Sequence, residues 1–187
     1  KRLKELVHIG VIEKKTNLKG SQINYNLTEA GKALEPVVIG MASWGQEWLQ
    51  TTPSLEDVDP RFLMWDIMRN INILDVLPDP FITHIHLTDV EPGLSDYWLV
   101  FENNSVDLCN KDNDYDVDVE INVSIKILTQ VWMGWSDFDL AIKQRKLIIT
   151  GKEQLTRVAK DWLGQSILAK IKKKPPPLKQ LRHFLYT

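Results

Sequence analysis

The stretch from Lys1 to Gly31 reads K-R-L-K-E-L-V-H-I-G-V-I-E-K-K-T-N-L-K-G-S-Q-I-N-Y-N-L-T-E-A-G, and its punctuation decides the fold of the first part of the chain. Leu3, Leu6 and Val7 recur at helical spacing, and Gly10 supplies a helix stop. Val11, Ile12, Lys14 and Lys15 then make a short extended run, and residues 17–20 are rich in turn formers. Ile23, Tyr25 and Leu27 alternate as a returning strand should. A helix running into a hairpin with a basic tip is the result. Lys1, Arg2, Lys4, Lys14, Lys15 and Lys19 together would form a positive edge able to neutralise backbone phosphates and release counterions. From charge alone an ordinary solvated hairpin explains the same lysines.

Working outward, Thr28 is placed to cap a helix whose apolar residues Leu34, Val37, Val38, Met41, Trp44, Trp48 and Leu49 fall close to one stripe. Pro36 inside it removes a backbone hydrogen bond and predicts a kink or a restart. The stripe has few apolar neighbours to cover it, which favours burial against a second copy; packing on a later part of the same chain is the alternative. Residues 50–54 break the periodicity and mark a linker over 51–59.

These residues carry a resemblance. The strings Arg2-Leu3-Lys4-Glu5-Leu6, Gly10-Val11-Ile12-Glu13-Lys14 and Tyr25-Asn26-Leu27-Thr28-Glu29-Ala30-Gly31, followed by Leu34-Glu35-Pro36-Val37 and Trp44-Gly45, resemble the HxlR family of bacterial winged-helix transcription regulators. The resemblance implies that the recognition helix ends near Leu6 and Val7, that the hairpin is the wing, and that the long helix helps build a homodimer on double-stranded DNA. It also implies that further helices and the front of the recognition helix, which would carry most base contacts, precede Lys1. Ser21 and Gln22 stand where the family often shows Pro and Arg, so the wing's returning arm would touch DNA more weakly.

Beyond the linker the pattern is α+β. Asp59 caps and Pro60 opens a helix with Leu63, Met64, Ile67, Met68 and Ile71 at helical spacing. Strands are expected over 81–87, 97–102, 105–109 and 116–121, with an Asn103-Asn104 turn and an acidic turn between them, in the order of an antiparallel meander. A helix over 124–133 closed by Gly134, a second start at Ser136 with Asp139 in capping-box position, a strand over 147–150 and a last helix through Leu155, Val158 and Trp162 complete the domain over 60–173. The predicted fold is a partial winged helix over 1–50, then a five-stranded, mainly antiparallel sheet covered by helices, then a tail over 174–187.

The series Tyr97-Trp98-Leu99-Val100, Val106-Asp107-Leu108-Cys109, Tyr115-Asp116-Val117-Asp118-Val119, Val131-Trp132-Met133-Gly134 and Lys146-Leu147-Ile148-Ile149-Thr150-Gly151 is similar to sterol carrier protein type 2-like domains. This resemblance implies an apolar tunnel between a curved sheet and its helices, and an apolar small-molecule ligand. Trp65, Trp98, Phe101, Trp132, Trp135 and Phe138 are the candidates for lining it, with plain core packing as the alternative for each.

Other chemistry is thin. The net charge of −2 hides a split, with Lys and Arg crowding the opening helix and hairpin and acids concentrated between Glu56 and Glu120. Cys109 is the only cysteine, so no internal disulfide forms, which fits a reducing cytoplasm. It lacks a basic neighbour close enough to stabilise a thiolate. No apolar run approaches the ~20 residues needed to span a bilayer, and no signal peptide is readable. His84 and His86 share a strand face, but Asp89 is the only carboxylate close in sequence, so no metal site is expected. Asp112, Asp114 and Asp116 imitate a calcium loop, yet Val117 and Val123 occupy the required glycine and glutamate positions. With no nucleophile elbow, phosphate-cradling loop or paired acid and base, the sequence predicts no enzyme and no cofactor. The expected protein is a cytoplasmic, homodimeric regulator that senses an apolar ligand; a lipid carrier or protein-interaction module using a degenerate winged helix to dimerise is the alternative.

Overall fold

The computed structural model describes residues 2–16, 23–49, 55–56 and 58–175. Its chain divides into two compact units, one spanning 1–50 with 171–187 and the other 51–170. Among the described residues, no helix is long and apolar enough to cross a membrane.

The first unit opens with α1 (Arg2–His8), the hairpin strands β1 (Ile12–Thr16) and β2 (Ile23–Leu27), and the helices α2 (Glu29–Ala33) and α3 (Glu35–Trp48). Gly10 takes φ +76°, and the bonds Val11 N to Leu6 O (3.0 Å) and Gly10 N to Val7 O (3.1 Å) close α1 in the manner of a Schellman stop. Thr28 fastens three pieces together. Its hydroxyl oxygen accepts from Gly31 N at 3.1 Å to cap α2, and its proton faces Gly10 O at 2.6 Å at the end of α1. Its own N–H donates to Val11 O at 3.2 Å at the foot of the hairpin. Pro36 sits in the first turn of α3, where its missing N–H costs nothing, so the helix restarts there rather than bends.

The second unit contains α4 (Pro60–Asn70), β3 (Phe81–Leu87), β4 (Asp96–Glu102), β5 (Ser105–Cys109), β6 (Val119–Val123), α5 (Ile125–Trp132), α6 (Phe138–Lys143), β7 (Leu147–Gly151), α7 (Glu153–Thr156) and α8 (Ala159–Leu163). The fold is α+β, with the sheet in the order β5-β4-β3-β6-β7. Three of its four pairings are antiparallel, but β6 lies parallel to β3. The expected meander therefore holds only for β3, β4 and β5. Asp118 marks the crossing: its N–H donates to Ile82 O at 2.9 Å and its carboxylate accepts from Ile82 N at 3.1 Å. Those bonds tie the chain to the free side of β3, so the strand begins at Val119 rather than at 116.

Local chemistry accounts for most boundaries. Asn103 and Asn104, both at positive φ, make the tight turn between β4 and β5. Asp59 caps α4 by accepting from Arg61 N at 2.9 Å, and Ser124 caps α5 by accepting from Ile127 N at 3.2 Å. Asp137, not Ser136, caps α6 through Leu140 N at 2.8 Å, and Asp139 instead pairs with Lys160. The last expected helix is split into α7 and α8 at Val158.

Strand parity sorts the sheet into two faces. Phe81, Thr83, Ile85 and Leu87 of β3 align with Tyr97, Leu99 and Phe101 of β4 and with Val119, Ile121 and Val123 of β6 on the inner face. There they join Met64 and Ile67 of α4, Leu128 and Trp132 of α5, and Trp162 of α8 in one buried core.

Candidate functional site

In the first unit the surface of interest is the hairpin and the helix before it. Lys14 and Lys15 lie opposite Tyr25 and Asn24, so they leave β1 from opposite faces. Lys15 Nζ pairs with Glu13 Oε1 at 2.6 Å; both groups are exposed, so this pair holds the lysine only loosely. Arg2, Lys4 and Lys14 are exposed and make no ion pair among the described residues. Lys1, Lys19, Ser21 and Gln22 lie outside the described residues.

Along α3 no residue is buried. Leu34, Val38, Met41 and Trp44 are all exposed, Met41 by 71%. Val37, Gly40, Met41, Trp44, Gly45 and Leu49 line an open apolar groove of about 490 Å³. Trp48 differs from the rest of the stripe, because Lys174 Nζ stands 4.7 Å from the centre of its ring and also pairs with Glu47 Oε1 at 2.7 Å. A lysine assigned by sequence to the tail thus lies on the end of α3, where a cation complements the helix dipole.

The six aromatics proposed to line one ligand space do not meet around one. Trp98 and Phe101 are three residues apart on β4 and so occupy opposite faces. Phe101 packs inward against Phe81, ring centres 4.9 Å apart, while Trp98 stacks on the His84 ring at 4.6 Å on the outer face. Trp132 and Phe138 are core residues, Trp132 donating from Nε1 to Asp66 Oδ2 at 2.7 Å. Trp65 faces outward under the Arg69 guanidinium, 4.5 Å away, and Trp135 is half-buried. Phe101 alone among them borders a described groove, of about 200 Å³, with Ile73, Leu77 and Ser105.

Two features escaped sequence reading. On the outer face, Asp96 Oδ1 takes hydrogen bonds from His84 Nε2 (2.9 Å) and His86 Nδ1 (2.8 Å), and Ser95 Oγ donates to Asp96 Oδ2 at 2.5 Å. Burial pushes this carboxyl up, but the bonds from Ser95, His86 and His84 outweigh it and hold its pKa at about 2. Asp96 comes from the neighbouring strand, ten residues beyond His86, so spacing along the chain could not reveal it. Among the described residues no group of three or more His, Cys, Asp or Glu is arranged to hold a metal ion. The exposed acidic turn is an ordinary Asx turn, Asp114 N donating to Asp112 Oδ1 at 2.9 Å, and Cys109 Sγ lies 3.4 Å from the Tyr115 hydroxyl.

The second feature is on the inner face. Thr83 Oγ1 and Tyr97 Oη are buried with no hydrogen-bond partner among the described residues. Each such orphan costs about 1–3 kcal/mol. They occupy diagonal positions, Thr83 opposite Leu99 and Tyr97 opposite Ile85.

Comparison with known proteins agrees with the division. Residues 1–53 match the family described as HxlR-like helix-turn-helix. Among solved structures, the chain is similar to a stereoselective inverting sec-alkylsulfatase from Pseudomonas sp., at 19% identity and a TM-score of 0.41 over 56% of this chain and 16% of that one. It is similar to a sterol carrier protein domain 2 of Helicoverpa armigera, at 13% identity and a TM-score of 0.40 over 60% of this chain and 91% of that one. A sterol carrier protein-2 like-3 from Aedes aegypti matches at 18% identity and a TM-score of 0.37, over 54% and 92% respectively. The chain therefore spans about a sixth of the sulfatase's length and most of the length of the carrier domains. No curated protein matches it.

Proposed function

We propose that this chain belongs to a cytoplasmic transcription regulator that binds double-stranded DNA as a homodimer and senses an apolar small molecule through its second unit. The observation that carries the reading is the HxlR-like match over residues 1–53 falling on a helix, a hairpin and a following helix, with Arg2, Lys4 and Lys14 exposed on the first two. Exposed cations on a helix end and a hairpin suit phosphate contacts, which position a protein on the duplex. Dimerisation is supported by α3. Its apolar groove contains Gly40, a residue that costs a helix interior about 1 kcal/mol relative to alanine and meets nothing within 4 Å in this chain. A second helix crossing there would give both the groove and the glycine a purpose.

Control then follows from linkage. A ligand with different affinity for two arrangements of the dimer shifts their populations, and DNA and ligand influence each other reciprocally. The reading invokes no catalytic step. Footprinting with the intact protein tests it: the expected result is a protected site with two-fold symmetry whose affinity falls steeply with salt. Failure to bind DNA even at low salt would refute the regulator reading in favour of a carrier or interaction module.

A further inference from the structure

The core of the second unit pairs its other buried polar groups. Thr129 Oγ1 donates to Ile125 O at 2.8 Å, Trp162 Nε1 to Leu155 O at 3.1 Å, and Ser166 Oγ accepts from Leu168 N at 3.3 Å. Thr83 and Tyr97, 0% and 2% exposed, are the exceptions among the described residues. Packing requires neither hydroxyl, since valine fills the space of threonine and phenylalanine the plane of tyrosine. A sheet face otherwise made of Phe81, Ile85, Leu99, Phe101, Val119 and Ile121 could have dispensed with both. Two buried hydroxyls retained at diagonal positions on that face point to a partner from outside the chain.

Resting on the reading of the second unit as a binder of an apolar ligand, we infer that Thr83 and Tyr97 set its specificity, and that the ligand is a neutral, largely apolar molecule carrying an alcohol or carbonyl oxygen. A hydroxyl both donates and accepts, so the pair can satisfy either function. A carboxylate or ammonium does not fit. The buried cluster around them is entirely apolar, and an ion placed there would have no counter-charge. The nearest charges in electrostatic reach of Tyr97 are Asp59 and Arg61 at the start of α4, and these already pair with each other at 2.7 Å. Their exposed position places the Tyr97 hydroxyl nearest the surface at that helix end. Phe62 beside them is a large exposed apolar side chain, suited to an entrance for an apolar molecule.

The test uses the whole chain with 1-decanol, decanoate and decylamine as probes, titrated by calorimetry and checked by native mass spectrometry. The wild type should bind 1-decanol at least tenfold more tightly than either ionised probe. Thr83→Val and Tyr97→Phe should each melt at or above the wild-type temperature without ligand, because an orphaned hydroxyl has been removed, yet each should bind 1-decanol several-fold more weakly. Thr83→Ser keeps the hydroxyl and should retain the wild-type preference, which separates its role from packing. Stabilised variants with unchanged 1-decanol affinity would overturn the proposal, since the hydroxyls would then hold only water or nothing. A wild-type preference for decanoate would overturn the neutral ligand while leaving an apolar site standing. Binding of none of the three probes would remove the ligand reading and this proposal together.

Discussion

Substituting Gly31 by alanine tests whether the hairpin is held where the structure puts it. A Cβ built on Gly31 would lie 2.1 Å from the Val11 carbonyl oxygen and 3.0 Å from Leu27 Cδ2. The side chain of Leu27 can turn aside, but the carbonyl cannot retreat freely. Val11 O accepts from Thr28 N at 3.2 Å and lies 3.1 Å from the Thr28 hydroxyl, the bonds that join the hairpin's foot to α2. Moving it by about an ångström sacrifices bonds worth about 1 kcal/mol each and adds steric strain, so Gly31→Ala should destabilise the first unit by about 2–4 kcal/mol. Amide hydrogen exchange read by mass spectrometry gives a local measurement. Peptides covering 11–16 and 23–34 should lose protection by roughly 30- to 700-fold at about 1.4 kcal/mol per factor of ten. Peptides from β3 and β6 should be unaffected. Wild-type protection in the hairpin would show that α2 does not approach Val11 this closely.

Three further outcomes are expected. Met41→Glu, which puts an unpaired charge into the α3 groove, should yield folded monomers in sedimentation; a surviving dimer would place the interface elsewhere. Replacing Lys14, Lys15 and Lys19 by alanine in the intact protein should weaken binding to all DNA sequences alike and reduce the salt slope by roughly 0.9 for each phosphate no longer neutralised, so an unchanged slope would remove the hairpin from the interface. Asp96, with its folded pKa at about 2, is depressed below the ordinary carboxylate value, so its contribution is complete above about pH 4 and disappears as pH falls towards 2. Its side chain is 38% exposed, so solvent screening reduces that contribution to about 1 kcal/mol. Urea melts of Asp96→Asn should fall short of wild type by that amount at pH 6 and converge with it near pH 2.

What the sequence made legible was the chemistry that acts within a few residues. Gly10 ends a helix because its φ of +76° is open to glycine, Asp59-Pro60 starts one because the carboxylate meets a free N–H, and Asn103-Asn104 turns a hairpin because both residues tolerate positive φ. Pairing between distant strands has no such local signature. The alternation of Val119 and Ile121 announces a strand with one buried face, and that pattern is equally satisfied at the edge of a meander or inserted beside β3. Asp118 bonded to Ile82 decides between them. Gly151 shows the same limit, since it reads as a strand terminator, while its tight approach to Asp118 O, where a Cβ would come within 2.3 Å, belongs to the pairing of β7 with β6.

The candidate sites divide along the same line. Trp98 and Phe101 could have been assigned to opposite faces from their odd separation alone, so grouping them in one lining gave aromatic content more weight than strand period. Asp96 between two histidines needed the register of β3 on β4. Thr83 and Tyr97 gave no warning at all, because threonine and tyrosine are ordinary strand formers whose side chains fit a pleated, half-buried surface. Their hydroxyls become informative only when both are found facing inward, in a core that pairs its other polar groups. On an exposed face the same two residues would simply bond to water. It is burial without a partner, a property of the assembled sheet and helices, that turns two common side chains into a statement about what the protein binds.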